Sequence, residues 1–381
     1  MSKILIAATG GSGHINPLLP FADAYADQGH DVLLIGPPSL RDATRGHPAR
    51  IGATPPRTEL DAIKQRLPTV PHAEATVLID REVFGRLTTT AMLPTMAETC
   101  RDWRPDLVLR EPCEYASAIV AEENGIPHAQ VAISLAAVET HVLDLVAPVL
   151  PTGIGERIRT APYLTRFPES LDPSPFPATR RFHERPQQTG ALPDWWPNDT
   201  RPLVYLTLGT VAGGLPAGIP AYRTALAALA GLPVRVLLTV GRTFDAASLD
   251  PVPPNTHITD WVPQADVLTE ARLVVCHGGS GTTFGALAAG VPVVILPMFA
   301  DQPANGRLVA ASGVGRMVEP LGGTEATMGQ FGPDDLPAIR TAIRQVLEDD
   351  SYSSAAQRVA DEMSSTPNVA ELAAHMTRSS G

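Results

Sequence analysis

Short apolar runs alternate with longer amphipathic segments along most of this chain, the rhythm of parallel strands covered by helices on both faces. Residues 3–8 form the first run and enter a Gly-rich turn; residues 18–28 then carry helical spacing that stops at Gly29, a helix C-terminal signal. The pattern predicts further strands at 30–35, 107–110 and 128–133, and a helix over 114–124 ending at Gly125. Residues 51–99 hold prolines and helical pieces without strand rhythm, and from 152 to 201 the pattern dissolves into what reads as a long connection. The rhythm restarts at 203–208 and continues with strands at 233–240, 257–260, 273–276 and 291–297, with helices between them. Two similar open parallel sheets are expected. Ligands of such sheets sit at the carboxyl ends of the strands, so the loops there are where chemistry is sought.

Length agrees with this picture, because 381 residues at roughly 100–200 per domain make two or three domains. Net charge is −11, from 40 acidic against 29 basic residues with no Lys/Arg run. That excludes the basic face a nucleic acid needs and the polybasic segment of a membrane anchor. The three cysteines, Cys100, Cys113 and Cys276, form no CxxC pair, so neither a disulfide framework nor a zinc site is implied. The opening run is too short for a signal peptide, and apolar segments such as 291–298 fall far below the ~20 residues that span a bilayer. A soluble cytoplasmic protein is the expectation, with no partner among nucleic acids or membranes.

The first turn is Thr9-Gly10-Gly11-Ser12-Gly13-His14-Ile15-Asn16-Pro17. A dinucleotide site fails here, because Asn16 stands where the third glycine of GxGxxG belongs and the second strand ends Ile35-Gly36-Pro37-Pro38 without an acidic residue. What remains is a histidine at a helix start, where the dipole favours the neutral imidazole and hence a usable general base. A capping or loop histidine is the plainer reading. A base needs an orienting partner: Glu111, at the end of the strand 107–110, is the candidate, and Glu114 competes with it.

The strongest signal is Cys276-His277-Gly278-Gly279-Ser280-Gly281-Thr282-Thr283, which follows an apolar strand and opens a helix running to Gly290. Glycines with Ser and Thr at a helix N-terminus gather backbone N–H groups on one spot, which suits a diphosphate. No P-loop lysine is present, so an NTPase is disfavoured; glycines that merely permit tight packing are the plainer alternative. Trp261-Val262-Pro263-Gln264 offers an aromatic ring to stack on a base, with free backbone groups beside it, although a core Trp reads equally well. Asp301 and Gln302 offer a carboxylate and an amide for vicinal hydroxyls, although Asp before a helix is usually a cap.

With these residues in hand, the chain resembles the family 1 nucleotide-sugar-dependent glycosyltransferases, most closely the bacterial natural-product branch that decorates antibiotics. The resemblance covers nearly the whole chain, through GGSGHINP, REPCEYAS, YLTLGT, WVPQ, HGGSGTT and the run from Asp301 to Gly315. It implies the GT-B architecture, an α/β fold of two Rossmann-like domains of doubly wound parallel sheet facing each other across a cleft. The domains would be 1–198 for the acceptor, with a linker at about 152–201, and 199–363 for the nucleotide sugar, followed by 364–381 with a helix at 368–378 crossing back to the first domain. It further implies His14 as general base with Glu111 in place of a helping Asp, and His277 with the backbone of Gly279, Ser280, Gly281 and Thr282 on the diphosphate. Gly209 and Thr210 would face the diphosphate, Trp261, Val262 and Gln264 would border the base, and Asp301 and Gln302 would hold the sugar.

Two departures from the family pattern matter: Glu replaces Asp at 111, and Gly285 stands where many UDP-using relatives carry a ribose-binding Glu. The expected chemistry is an inverting, metal-independent transfer of a sugar or deoxysugar, from a donor expected to be dTDP-linked, to a hydrophobic natural-product acceptor. No cofactor is expected beyond the nucleotide-sugar co-substrate, and a homodimer is allowed. The rival readings are a nucleotide-sugar epimerase of the same fold and a helper protein that has lost its site.

Overall fold

The computed structural model describes residues 1–184, 189–212, 217–242, 244–322 and 330–379. The chain forms two compact units, one of Met1–Glu184 with Ser365–Gly381, the other of Arg185–Ser364.

The first unit carries strands β1 (Lys3–Ala7), β2 (Asp31–Gly36), β3 (Ala49–Ile51), β4 (Leu107–Arg110), β5 (His128–Val131), β6 (Tyr163–Thr165) and β7 (Thr179–Arg181). They make one sheet in the order β3-β2-β1-β4-β5-β6-β7, parallel throughout. Alternation along β1 shows how the two covering layers arise. Ile4 and Ile6 pack with Phe21 and Tyr25 of helix Leu19–Asp27 and with Leu372, Ala373 and Met376 of helix Val369–Ser379. Leu5 and Ala7 face the other way, onto Met92, Met96 and Cys100 of helix Thr89–Trp103 and Val120 of helix Ala116–Asn124. The helix expected at 368–378 thus covers the first sheet, although it follows the whole second unit in sequence.

The second unit carries β8 (Leu203–Thr207), β9 (Arg235–Thr239), β10 (Thr256–Thr259), β11 (Ala271–Cys276), β12 (Val293–Ile295) and β13 (Gly315–Met317). Their order is β10-β9-β8-β11-β12-β13, again parallel throughout. Val204, Leu206 and Leu208 bury against Tyr222, Ala225 and Leu229 on one helix and Ile339 and Ile343 on another.

The stretch read as a structureless connection from 152 holds a helix, Ile154–Thr160, and the two last strands of the first sheet. Three-residue strands among Pro and Arg are too short to show a period. The sequence drew its domain division after 198, whereas the compact units divide after Glu184. Residues 189–198 pack with the second unit: Thr189 hydrogen-bonds Asp266 through its N–H (2.8 Å) and hydroxyl (2.7 Å), and Trp195 stacks on His257 at 4.6 Å. Residues 185–188 of the expected linker lie outside the described residues. No helix among the described residues is long and apolar enough to cross a membrane.

Candidate active site

Each sheet reverses its strand order at one point, between β1 and β4 in the first and between β8 and β11 in the second. Loops leaving two adjacent strands in opposite directions open a crevice at such a point. Ala7 pairs with Arg110, so the residues that follow β1 and β4 emerge side by side. His14 lies on the short helix Ser12–Ile15 after β1, and Glu111 is the first residue after β4. The structure brings them together: imidazole Nδ1 stands 3.2 Å from Glu111 Oε2.

Glu111 is fully buried and fixed from three sides. Its Oε1 accepts from the Thr9 N–H (3.0 Å) and hydroxyl (2.7 Å), and its Oε2 accepts from the Cys113 N–H (2.7 Å). Burial alone would raise its pKa, but His14 and these donors outweigh burial and hold it below the usual carboxylate range. The loop itself is clamped by Arg110, a guanidinium with no exposed surface. Its Nη1 donates to the carbonyls of Glu111, Pro112 and Glu114 at 3.0, 3.1 and 3.0 Å, and its Nη2 to Gln130 Oε1 at 3.1 Å. Glu114, the competing partner in the sequence, accepts from the Ser117 N–H at 3.1 Å and so caps the helix behind the loop. A Phe84 ring lies 5.3 Å from the imidazole, tilted by 45°.

His14, Glu111 and Cys113 also bring one nitrogen, one carboxylate oxygen and one sulfur within 4.8 Å of one another. The carboxylate is already saturated with protein donors, and burial pushes the Cys113 thiol well above its ordinary range. The trio is better suited to a hydrogen-bonded dyad beside a neutral thiol than to a cation.

In the second unit Thr207 pairs with Cys276, so Gly209 and His277 leave adjacent strand ends. Their packing explains the glycines. A Cβ at Gly209 would lie 2.7 Å from His277 Cε1, and one at Gly279 2.4 Å from its Nε2, so only glycine admits the ring here. Burial lowers the His277 pKa to about 4, which makes it a neutral donor at pH 7. Helix Ser280–Ala288 starts at once, with Gly279 as its N-cap residue. The N–H groups of its first turn have no helical acceptor, and the dipole adds positive potential there. Gly281 is exposed with nothing within 4 Å of a Cβ, so that turn stays open to an anion. Thr210, on the short helix Gly209–Ala212, is exposed as well.

The loop after β12 joins this cluster. Asp301 Oδ2 accepts from the Ser280 hydroxyl at 2.7 Å and from Asn305 Nδ2 at 3.2 Å. Asn305 Nδ2 also donates to the Gly278 carbonyl at 2.8 Å and to Ser280 Oγ at 3.0 Å. Asn305 went unnoticed in the sequence, although it stands one helical turn beyond Asp301 and therefore on its face. Gln302 is buried, and its Oε1 accepts from the N–H groups of Met298 and Phe299 at 2.8 and 3.0 Å. That amide oxygen shapes the loop itself.

Trp261 is 58% exposed, and the Arg242 guanidinium lies 5.9 Å from the centre of its ring, so it is not a core tryptophan. Val262 is buried behind it. Gln264 opens helix Gln264–Leu268, and its Nε2 lies 3.5 Å from the Thr282 carbonyl. A Cβ at Gly285 would meet the same Nε2 at 3.2 Å, so position 285 faces the Gln264 amide.

Two parallel-sheet α/β units, each with its candidate residues at the switch point of its sheet, make up the GT-B architecture of glycosyltransferases. The glycosyltransferase SnogD from Streptomyces nogalater superposes with a TM-score of 0.77 at 27% identity, over 100% of this chain and 99% of that one. The spinosyn rhamnosyltransferase SpnG, in complex with thymidine diphosphate, superposes with a TM-score of 0.79 at 23% identity, over 99% and 100%. Elloramycin glycosyltransferase ElmGT of Streptomyces olivaceus is 30% identical, over 98% of this chain and 96% of its own. Family models described as erythromycin biosynthesis protein CIII-like match residues 60–143 (N-terminal domain) and 223–378 (C-terminal domain). The chain belongs to this family of antibiotic glycosyltransferases, and it is an enzyme of sugar transfer.

Proposed function

We propose that the protein moves a sugar or deoxysugar from a dTDP-linked donor to a hydroxyl group of a natural-product acceptor, with inversion at the anomeric carbon and His14 as general base. The observation that carries this reading is the His14–Glu111 pair. The Glu111 carboxylate, facing Nδ1 at 3.2 Å, keeps the neutral ring's proton on Nδ1 and leaves the other ring nitrogen, Nε2, as the basic one. That nitrogen removes the acceptor's proton while the oxygen attacks the anomeric carbon, and the nucleoside diphosphate departs. Charge developing on the diphosphate is met by the N–H groups at Gly279–Thr282 and by His277. These donors perform the role a bound cation would otherwise fill, so transfer is metal-independent on this reading.

Support for dTDP comes from Gly285 and from the thymidine diphosphate named with the SpnG structure. A carboxylate at 285 would favour a ribose with both hydroxyls, because a buried acceptor left one partner short is costly. Glycine carries no such group, and a deoxyribose loses nothing by that. Two measurements test the proposal: kcat/KM for dTDP- and UDP-linked forms of one sugar, and the anomeric configuration of the product by NMR. Equal use of both donors overturns the dTDP assignment, and retained configuration overturns the single displacement.

A further inference from the structure

Eleven residues of the stretch that looked irregular in the sequence form a π-helix, Leu78–Thr88. Such wide coils are rare in long runs and concentrate at functional sites. One face of the coil joins a small apolar cluster: Leu78 and Leu87 are buried there with Ile63, and Val83 packs against them. Gly85 meets the end of helix Ala136–Val146 and the turn after it. A Cβ there would lie 2.7 Å from Val146 Cγ1 and 3.1 Å from Val149 Cγ2, so any side chain would push the coil away. The Phe84 carbonyl accepts from the Thr89 hydroxyl at 2.9 Å. Held in this way, the coil sets the Phe84 ring against His14, with 5.3 Å between ring centres and a tilt of 45°. That separation is within the contact range of aromatic pairs. Three walls therefore enclose the imidazole. Glu111 faces the buried Nδ1 at 3.2 Å, Gly11 passes the Cδ2 edge with room for a Cβ only at 3.6 Å, and Phe84 packs on the ring. Of the His14 side chain, 21% stays exposed.

A base beside an anomeric carbon serves any hydroxyl that reaches it, water included, so sugar transfer depends on keeping water from the base. We propose that Phe84 is a positioning residue that reserves His14 for the acceptor: its ring covers the imidazole against water, and the acceptor's own apolar surface completes the cover when it binds. Without the Phe84 ring, water takes that place. Its oxygen then bonds to the anomeric carbon while the bond from that carbon to the diphosphate oxygen breaks. The water proton passes to His14 and on to solvent, so the donor is hydrolysed to free sugar and nucleoside diphosphate. Phe84 itself forms no bond to any reacting atom; it acts by packing.

This inference rests on His14 being the base, and its test keeps the two ideas apart. The full-length protein, labelled with ¹³C at histidine Cε1, is titrated by NMR, with the His14 signal identified by its loss in His14→Gln. Release of nucleoside diphosphate is followed without acceptor, from whichever of dTDP-glucose and UDP-glucose the parent turns over faster. The titratable groups around the ring are Glu111 and Cys113 from the loop after β4 and Asp80 of the π-helix, and Phe84→Ala keeps all three. Readmitting water favours the imidazolium, so the His14 midpoint should rise by about 0.5–1 unit in Phe84→Ala. Hydrolysis of the donor should rise about three- to tenfold, and Phe84→Tyr should restore both values. Where Phe84→Ala melts early, Phe84→Val gives the same comparison. A parental midpoint or a parental hydrolysis rate in the truncated variant overturns the proposal and leaves the base assignment standing. Raised hydrolysis that persists when His14→Ala is added to Phe84→Ala overturns the base assignment, and this inference with it.

Discussion

The Ser280 hydroxyl donates to Asp301 across 2.7 Å, tying the first turn of the diphosphate-binding candidate to the loop proposed to hold the sugar. Asn305 bonds both residues and the Gly278 carbonyl, so the arrangement moves as one piece. Ser280→Ala should therefore loosen Asp301 as well as the helix start, at a stability cost of about 1 kcal/mol. Asp301→Ala should leave affinity for the free nucleoside diphosphate within about twofold while cutting kcat/KM for the intact sugar donor about tenfold or more. Calorimetry with the diphosphate alone, set beside turnover of the donor, separates the two effects. Equal losses in both would mean that Asp301 serves the nest and not the sugar.

His14→Ala should lose about 10²–10⁴-fold in transfer rate with diphosphate affinity unchanged. Glu111→Gln should act in the same direction but less strongly, because the ring keeps its nitrogen and loses only its orienting charge. Glu114→Gln should spare the rate, since that carboxylate caps a helix. A damaging Glu114→Gln beside a silent Glu111→Gln would reverse the pairing.

Acid stability should report the same carboxylate. A group whose folded-state pKa is depressed stabilises the fold fully above its unfolded value, here the ordinary glutamate value of 4.5, and loses that contribution as pH falls toward and through the folded value. Below about pH 4.5 the melting temperature of the parent should thus fall more steeply than that of Glu111→Gln, which has no such proton to bind. Parallel curves for the two would remove the ionised, buried state from the picture.

His277 gives a signature of the same sign in a higher pH window. Its native pKa near 4 lies below the ordinary imidazole value of 6.5, so the fold loses stability as pH drops from about 6.5 to 4, where only the unfolded chain takes a proton. A diphosphate beside the ring favours the protonated form. Binding of nucleoside diphosphate at pH 5–6 should accordingly take up part of a proton, read as a dependence of binding enthalpy on buffer ionisation heat. His277→Ala should abolish that dependence and weaken binding by about 1.5–3 kcal/mol. A buffer-independent enthalpy in the parent would show that His277 binds as a neutral donor or not at all.

Gly281 and Gly285 test the ligand side without disturbing the core. Gly281→Val places its side chain in open space, so the fold should survive with a modest helix-propensity change while diphosphate affinity drops. Gly285→Glu needs only the Gln264 amide to give way, and it should shift donor preference from dTDP toward UDP. Unchanged affinity in the first, or an unchanged donor ratio in the second, would refute the respective assignment.

Much of this was legible in the sequence because the decisive signals are local. A strand running into a glycine turn and a helix is written within a dozen residues, so the loops after β1 and β11 could be found by pattern alone. Whether Glu111 or Glu114 partners His14 could not, because that depends on the pairing of Ala7 with Arg110 and on which carboxylate turns back to cap its own helix. Asn305 was silent for a related reason. Its role comes from contacts made across the fold, and it does not stand in a glycine-rich turn. The strands β6 and β7 escaped because three residues carry no period, and the π-helix because its wide repeat matches neither helical nor strand spacing.

The helix Val369–Ser379 completes the core of the first unit from the far end of the chain, and this has a consequence for biosynthesis. On the ribosome, Met1–Glu184 emerges long before Leu372, Ala373 and Met376, which cover Phe21 and Tyr25. Residues 185–364 must be made in between, which takes roughly 10–35 s at about 5–20 residues per second. Throughout that interval one flank of the nascent first sheet is bare hydrocarbon, a surface for chaperones to shield. Loss of the helix Val369–Ser379 would make that exposure permanent, so a truncation that removes it would strike the half of the enzyme that was translated first.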